Sequence, residues 1–303
     1  MILQLHFPSK TYQILCNIRA SPDAGDVGYY RFNLNAGDHL KISLMTTRFD
    51  APVPDLVVMS PGAAGNIGDL SLPVAVPLGY TVEVIKGQKP VTAEYEPFSP
   101  VAIFNAASYS KNITQPGTYY VAVISPADET HYSIAIGYLE EFCLQEWLLV
   151  PINPFGTHLW EGQSILAILA PFLAVIILGL ILIARRERKN KLKKSLSFWL
   201  ATIAGLCYLG GAAIVLVQMF RVLMVTGFSA GVIVTIIFAF IPIILGIWAL
   251  RAARSPSPLT KKDRLSLGII GVLGLVFWAG LIIGPVIAII AALVPVRYSK
   301  QLP

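Results

Sequence analysis

The sequence predicts two domains of different class, an all-β sandwich or jelly roll over residues 1–140 and an all-α domain of four transmembrane helices over residues 164–303. Alternation of apolar and polar residues with a period of two dominates the first region, as in half-buried strands. Long uninterrupted apolar stretches occur only in the second region. The chain has 303 residues, of which 55% are hydrophobic and only 13% are charged, a composition that is unusual for a soluble protein.

A hairpin is the clearest local signal in the β domain. Apolar residues alternate with polar ones in Tyr29–Leu34 and again in His39–Leu44, and the intervening turn contains Gly37, which can supply a positive φ. We expect further strands at Thr11–Ile18, Asp55–Ser60, Tyr80–Ile85, Val101–Phe104, Gly117–Ile124 and His131–Gly137. About eight short strands without helical periodicity predict an antiparallel sandwich or jelly roll.

Four segments of this domain carry a resemblance to a known family. They are YRFNLNAGDHLKI at Tyr30–Ile42, Pro54–Leu56 with the following Ser60–Gly62, PGTYYVAV at Pro116–Val123, and Tyr132–Ile134. Together they resemble the bacterial and archaeal pre-peptidase C-terminal domain, over about Gly28–Gly137. That resemblance implies a secreted β-sandwich without catalytic residues that helps binding or secretion. The chain departs from the family's pattern because it carries membrane spans in place of a peptidase.

Two covalent features are possible in the β domain. Cys16 lies near its start and Cys143 near its end, so a disulfide would tie the first strand to the last in an oxidising compartment. The alternative is two separate thiols, buried as small hydrophobic side chains. Asn112 begins the sequon Asn-Ile-Thr, which makes it a possible glycosylation site.

No catalytic or cofactor signature accompanies these features. All four histidines precede the first apolar span, and none has a second histidine, cysteine or carboxylate at a metal-ligand spacing. The sequence contains no nucleophile elbow, phosphate-binding loop or dinucleotide fingerprint. We therefore predict a protein that is not an enzyme and that has no catalytic residue, cofactor or metal.

A collar over residues 141–163 joins the two domains. Trp147, Phe155 and Trp160 suit the headgroup zone of a bilayer, where aromatic rings are half buried. The alternative interpretation is a docking surface for a partner subunit. The residues that we expect at such a contact are Trp147, His158, Trp160 and Glu161.

The first span, residues 164–184, sets the predicted orientation. Seven of the ten residues that follow it are positive: Arg185, Arg186, Arg188, Lys189, Lys191, Lys193 and Lys194. Such a cluster marks the cytoplasmic side of a membrane, so the β domain is expected to be extracellular. Because Met1–Pro8 lacks a basic segment and is too short and interrupted for a signal peptide, we expect a processed chain or an incomplete gene model in preference to unaided translocation of the N-terminal domain.

Three more apolar stretches complete the four predicted helices, at about 197–220, 228–250 and 267–293. A second basic loop lies between the third and the fourth: Arg251, Arg254, Lys261, Lys262 and Arg264. With both basic loops inside, four spans place the C-terminus outside and predict a multi-pass plasma-membrane protein. Residues Met1–Trp160 have a net charge of −6 and residues Glu161–Pro303 one of +12, which together give the total of +6.

The leading functional expectation is a membrane-anchored extracellular binding or accessory protein, a non-catalytic subunit of a larger membrane assembly. One span would suffice as a tether, so four spans favour lateral contacts with a membrane or extracellular protein as well as with the lipid bilayer. Nucleic acid is excluded because the positive residues lie in loops between spans. The rival expectation is a membrane enzyme or channel component that uses His158, Glu161 and Gln163 at the outer membrane boundary.

Overall fold

A computed structural model of the chain describes residues 2–4, 16–20, 26–62, 73–126, 131–137, 150–190, 195–254 and 259–294, with side chains for those from residue 26 onwards other than 189 and 190. The chain divides into two compact units. The first comprises Met1–Glu94 with Ala102–Cys143, and the second comprises Tyr95–Val101 with Leu144–Pro303. The β region and the following helical region that the sequence predicts are both confirmed.

Ten strands are described in the β region, in two five-stranded sheets. In chain order they are β1 Ile2–Gln4, β2 Cys16–Ala20, β3 Val27–Leu34, β4 His39–Thr46, β5 Asp55–Pro61, β6 Tyr80–Ile85, β7 Glu94–Glu96, β8 Val101–Asn112, β9 Gly117–Ile124 and β10 Tyr132–Ile136. The strand orders are β1-β3-β9-β5-β6 and β2-β10-β4-β8-β7. Strand β1 pairs with β3 in parallel, and the other described registers are antiparallel.

The core of the β region follows from the alternation in the sequence. Tyr30, Phe32 and Leu34 of β3 are buried together with alternate residues of β4. The hydroxyl groups of Tyr30 and Tyr132 are hydrogen-bonded at 2.9 Å. Burial raises the pKa of both phenols, so both remain neutral at ordinary pH.

The strands differ from the predicted ones mainly at their ends. Strand β8 continues to Asn112 instead of ending at Phe104, because it stays paired with β4 as far as His39 and buries Ala106 and Tyr109 on the way. The register of β4 against β8 shifts between Leu44 and Met45, which marks an irregularity in the ladder. Strands β1 and β7 have only three residues each, too few to show a periodicity.

Within the described residues, the helical region contains three helices that are long and apolar enough to cross a membrane. Its helices are α1 Asn153–Trp160, α2 Ile165–Asn190, α3 Leu196–Thr226, α4 Ala230–Ala253, α5 Lys261–Val276 and α6 Ile283–Leu293, with a 3₁₀ turn at Ala279–Leu281. The candidate spans are α2, α3 and α4. Buried residues make up 61% of the most apolar stretch of α3, against 33% in α4 and 6% in α2. Helix α3 is therefore the centre of the bundle, and α2 lies at its edge.

Glycines bring α3 and α4 into backbone contact. A Cβ atom on Gly205 would lie 3.0 Å from the carbonyl oxygen of Gly246, and one on Gly246 would lie 2.9 Å from that of Gly205. Small residues allow this closeness of membrane helices, which favours dispersion contacts along both backbones. A small residue at each of these two positions is therefore required by the packing.

The predicted fourth span, residues 267–293, is not one crossing helix. Helix α5 ends at Val276, α6 begins at Ile283, and the two run antiparallel. The guanidinium of Arg264, near the start of α5, donates a hydrogen bond to the carbonyl of Val294, just beyond α6. Both ends of the segment consequently lie at the same end of the hairpin. The prediction of one continuous helix over residues 267–293 is therefore wrong, and the count of four spans is not confirmed.

The interruption has a local cause. Pro285 lacks a backbone N–H, and its ring would clash with the carbonyl of residue 281 in a continuous helix. Before it, the chain reverses through positive φ values at Trp278 (50°), Gly280 (71°), Leu281 (57°) and Ile282 (65°). Such values are rare for large side chains, so the turn depends on the packing around it.

Candidate functional site

Helix α1 and the turn after it bring polar residues of the collar together. Pro154 suits the first turn of α1, where no backbone donor is needed. Gly162, with a φ of +87°, reverses the chain after the helix, and the backbone N–H of Gln163 donates to the carbonyl of His158 at 3.0 Å. The side chains of His158, Glu161 and Gln163 therefore lie on one side of this turn.

These three side chains form a hydrogen-bonded cluster with Gln218 of α3. Nδ1 of His158 lies 3.1 Å from Oε2 of Glu161, and Nε2 of Gln163 lies 3.3 Å from the same oxygen. Gln163 and Gln218 bond reciprocally, with Nε2 to Oε1 distances of 3.2 and 2.9 Å. His158 is 3% exposed and Gln218 is 2% exposed, so the cluster is largely removed from solvent. The collar is thereby bound to the central helix.

The pairing of His158 with Glu161 determines what the imidazole can do. The roles at Nδ1 depend on the tautomer, and in the neutral tautomer that donates to the Glu161 carboxylate Nδ1 carries the proton. Nε2, on the opposite edge of the ring, then keeps its lone pair. A carboxylate in this position orients an imidazole that acts as a base or as a ligand. His158 can therefore accept a proton or a hydrogen bond at Nε2.

A cavity of about 50 Å³ adjoins this cluster. Its wall includes His158 and Gln218, and otherwise consists mostly of apolar side chains such as Phe98, Phe155 and Ile168. A cavity that holds benzene measures about 150 Å³, whereas one water needs roughly 10–15 Å³. The cavity thus has room for a few water molecules beside the imidazole and is too small for an organic ring.

The remaining predicted site residues lie apart from this cluster. Trp160 ends α1, and its indole Nε1 is buried with no hydrogen-bond partner within the described part of the chain. Asn112 is exposed at the end of β8, with Oδ1 2.6 Å from Nδ1 of His39. Arg185, Arg186 and Arg188 are exposed in the last turns of α2.

Some predictions concern residues or side chains outside the described part of the chain. They are those for Cys143, Trp147, Lys191, Lys193 and Lys194, and for the side chains of Cys16 and Lys189. Across the described ranges, no group of three or more metal-binding side chains occurs.

Two polar residues of the apolar spans, Gln218 and Thr235, have specific partners in the structure. Gln218 belongs to the cluster described above. The hydroxyl of Thr235 in α4 donates to the carbonyl of Pro97 at 2.7 Å and lies 2.8 Å from the hydroxyl of Tyr95. The only sign of these contacts in the sequence is a polar side chain in an apolar span, because the partner residues are distant in the chain.

The reciprocal amide pair can be tested by a double-mutant cycle. We expect Gln163→Leu and Gln218→Leu each to lower the free energy of unfolding by about 1–3 kcal/mol, because each leaves a buried amide without its partner. The double variant should lose less than the sum of the two, since no orphaned amide remains. Thermal unfolding in detergent measures all four proteins, and strictly additive losses would contradict the pairing.

Comparisons with known proteins add little to this geometry. No protein-family model and no curated protein matches the chain. Among solved structures, it is similar to PliG of Aeromonas hydrophila, a periplasmic inhibitor of g-type lysozyme, with 12% identity, a TM-score of 0.27, and coverage of 45% of this chain and 94% of that one.

Two further solved structures show similarity. The pre-peptidase C-terminal domain of a Bacillus anthracis collagenase matches with 16% identity, a TM-score of 0.21, and coverage of 41% of this chain and 88% of that one. CorA of Methylomicrobium album BG8, a surface-associated copper-binding protein, matches with 12% identity, a TM-score of 0.16, and coverage of 45% and 81%. All three similarities are weak.

Proposed function

We propose that this protein is a membrane-anchored extracellular binding or accessory protein, a non-catalytic subunit of a larger membrane assembly. Its β region would be a jelly-roll module like the pre-peptidase C-terminal domain, as the segments around Gly37 and Gly117 favour. The basic residues in and just after the last turns of α2 favour a cytoplasmic position for that end of the helix. The β region then faces the outside of the cell.

The observation that carries this proposal is the size and packing of the helical unit. A single apolar helix would anchor the β region, yet the chain has three candidate spans and a helical hairpin. Only 6% of the most apolar stretch of α2 is buried, so this helix adds little to the core of the bundle. An extra helix at the edge of a bundle is suited to lateral contact with another membrane subunit.

Native mass spectrometry of the tagged chain, extracted from its own membranes in mild detergent, tests the assembly. We expect a complex larger than the 32.9 kDa chain that contains a second, different polypeptide at a fixed ratio. Leu178→Trp, at an exposed position of α2, should weaken this complex, whereas Ile168→Val, at a buried position of the same helix, should not. A monomer, or an assembly of identical chains alone, would contradict the proposal.

A second candidate function is a membrane enzyme or channel component with its site at the outer boundary. It is favoured by the proximity of His158, Glu161 and Gln163 and by the adjoining cavity. Its test compares His158→Gln and Glu161→Gln with Leu159→Ala, an exposed control on α1, for metal content and for proton flux in proteoliposomes. We expect both measured quantities to depend on the first two positions. Identical values in all variants would remove this candidate.

A further inference from the structure

Helices α5 and α6 contact each other from the open end of their hairpin towards the turn. At its open end Arg264 donates to the carbonyl of Val294. Further along, a Cβ atom on Gly271 would lie 3.0 Å from the carbonyl oxygen of Pro285. Residues further along α5 therefore contact residues that come earlier in α6, as expected for two antiparallel helices.

Neither arm of the hairpin is long enough to cross a bilayer. Helix α5 has 16 residues and α6 has 11. At a rise of about 1.5 Å per residue these arms span about 24 and 17 Å, short of a hydrocarbon layer of about 30 Å. The segment therefore fits a path that enters the hydrocarbon layer and turns back within it.

The turn at the tip of the hairpin is covered by protein. Irregular backbone at membrane depth is tolerated where it is buried in protein, because lipid cannot satisfy its polar groups. Gly280 and Ala279 are buried, and a Cβ atom on Gly211 of α3 would lie 3.3 Å from the Cα of Gly280. The hydroxyl of Tyr208 in α3 donates to the carbonyl of Ile270 at 2.9 Å, which fixes α5 against the same helix.

The charges in the sequence agree independently with this path. Arg297 and Lys300 follow Val294 in the sequence and lie outside the described residues. A fourth crossing would move both of them away from the other basic segments, whereas a hairpin keeps them on the same side. Of the 15 Lys and Arg residues after Trp160, 14 then share one side, and Arg221 is the exception.

We propose that Lys261–Val294 is a re-entrant hairpin that enters and leaves the bilayer on the same, basic side. The chain then crosses the membrane three times, and the end of α6 faces the same compartment as the segment between α4 and α5. This inference rests on membrane insertion of the helices and not on the role proposed for the β region.

Labelling of introduced cysteines in cells tests the path. In a background with Cys16, Cys143 and Cys207 replaced by Ala, single cysteines are placed by Leu293→Cys, Lys262→Cys and Phe228→Cys, three exposed positions. A membrane-impermeant maleimide should label the first two only after permeabilisation and the third in intact cells. If the first two react in intact cells and the third does not, the hairpin holds and the proposed orientation fails. Labelling of Leu293→Cys together with Phe228→Cys would overturn the hairpin.

Crosslinking in native membranes tests whether the two ends of the hairpin lie together, even if lipid shields Leu293→Cys from the maleimide. The double variant Arg264→Cys/Val294→Cys should be joined intramolecularly by a short membrane-permeable bismaleimide that replaces the reach of the Arg264 side chain, detected as a linked peptide by mass spectrometry. The control pair Arg264→Cys/Phe277→Cys should not, because about 13 residues of helix, or about 20 Å, separate its members. Absence of the first crosslink, or equal yields for both pairs, would overturn the inference.

Discussion

Replacing Gly246 by Ala should destabilise the helical unit, whereas the same change at Gly268 should not. The methyl group at Gly246 would lie 2.9 Å from the carbonyl oxygen of Gly205, and that backbone atom cannot rotate away. Helices α3 and α4 must therefore move apart, at a cost of about 1–3 kcal/mol in the free energy of unfolding. Thermal unfolding of the full chain in detergent measures this loss.

Gly268→Ala is the matched control because it makes the same chemical change in another helix. Nothing lies within 4 Å of a Cβ atom at Gly268. Alanine favours a helix over glycine by up to about 1 kcal/mol, so this variant should be equally or slightly more stable than the parent. Effects of opposite sign are thus expected from the two variants. Equal losses would show that the close approach of Gly205 and Gly246 does not limit the packing.

Removing the basic cluster at the end of α2 should produce a fraction of wrongly oriented chains. Each positive side chain near an anionic leaflet contributes about 1 kcal/mol of attraction, and together they fix the orientation during insertion. The variant replaces seven residues by Gln: Arg185, Arg186, Arg188, Lys189, Lys191, Lys193 and Lys194. In a cysteine-free background carrying Phe228→Cys, external labelling should fall in proportion to the inverted fraction.

Arg221→Gln serves as the control for this experiment, since Arg221 stands alone at the opposite end of the spans. It should leave the external labelling of Phe228→Cys unchanged. Full external labelling in the seven-residue variant would mean that charge does not set the orientation, and that another signal directs the β region outwards.

The parts of the fold that depend on local pattern were predictable from the sequence. Strands β3 and β4 follow from their alternation, and the apolar stretches of α2, α3 and α4 follow from composition. Hydropathy does not report the direction of the chain, so the apolar composition of residues 267–293 predicts a crossing where the structure has a hairpin. Pro285 and Gly280 were the available signals for the break, but proline also occurs inside helices, as Pro171 and Pro242 show.

The candidate site was predictable only in part, for a related reason. His158, Glu161 and Gln163 lie within six residues of one another, so one turn of chain brings them together. Gln218 joins them from 55 residues away, through the packing of α2 against α3. A single sequence contains no information on such a tertiary pairing beyond the presence of a polar residue in an apolar helix.

The length of α3 determines the depth at which the polar cluster lies in a bilayer. The helix has 31 residues and is thus about 46 Å long, well beyond the hydrocarbon thickness of about 30 Å. Gln218 comes 22 residues after Leu196, or about 33 Å along the axis. Hydrophobic matching from the first turn of α3 therefore places Gln218 at the edge of the acyl chains. There the hydrogen bonds among His158, Glu161, Gln163 and Gln218 satisfy polar side chains that burial removes from water.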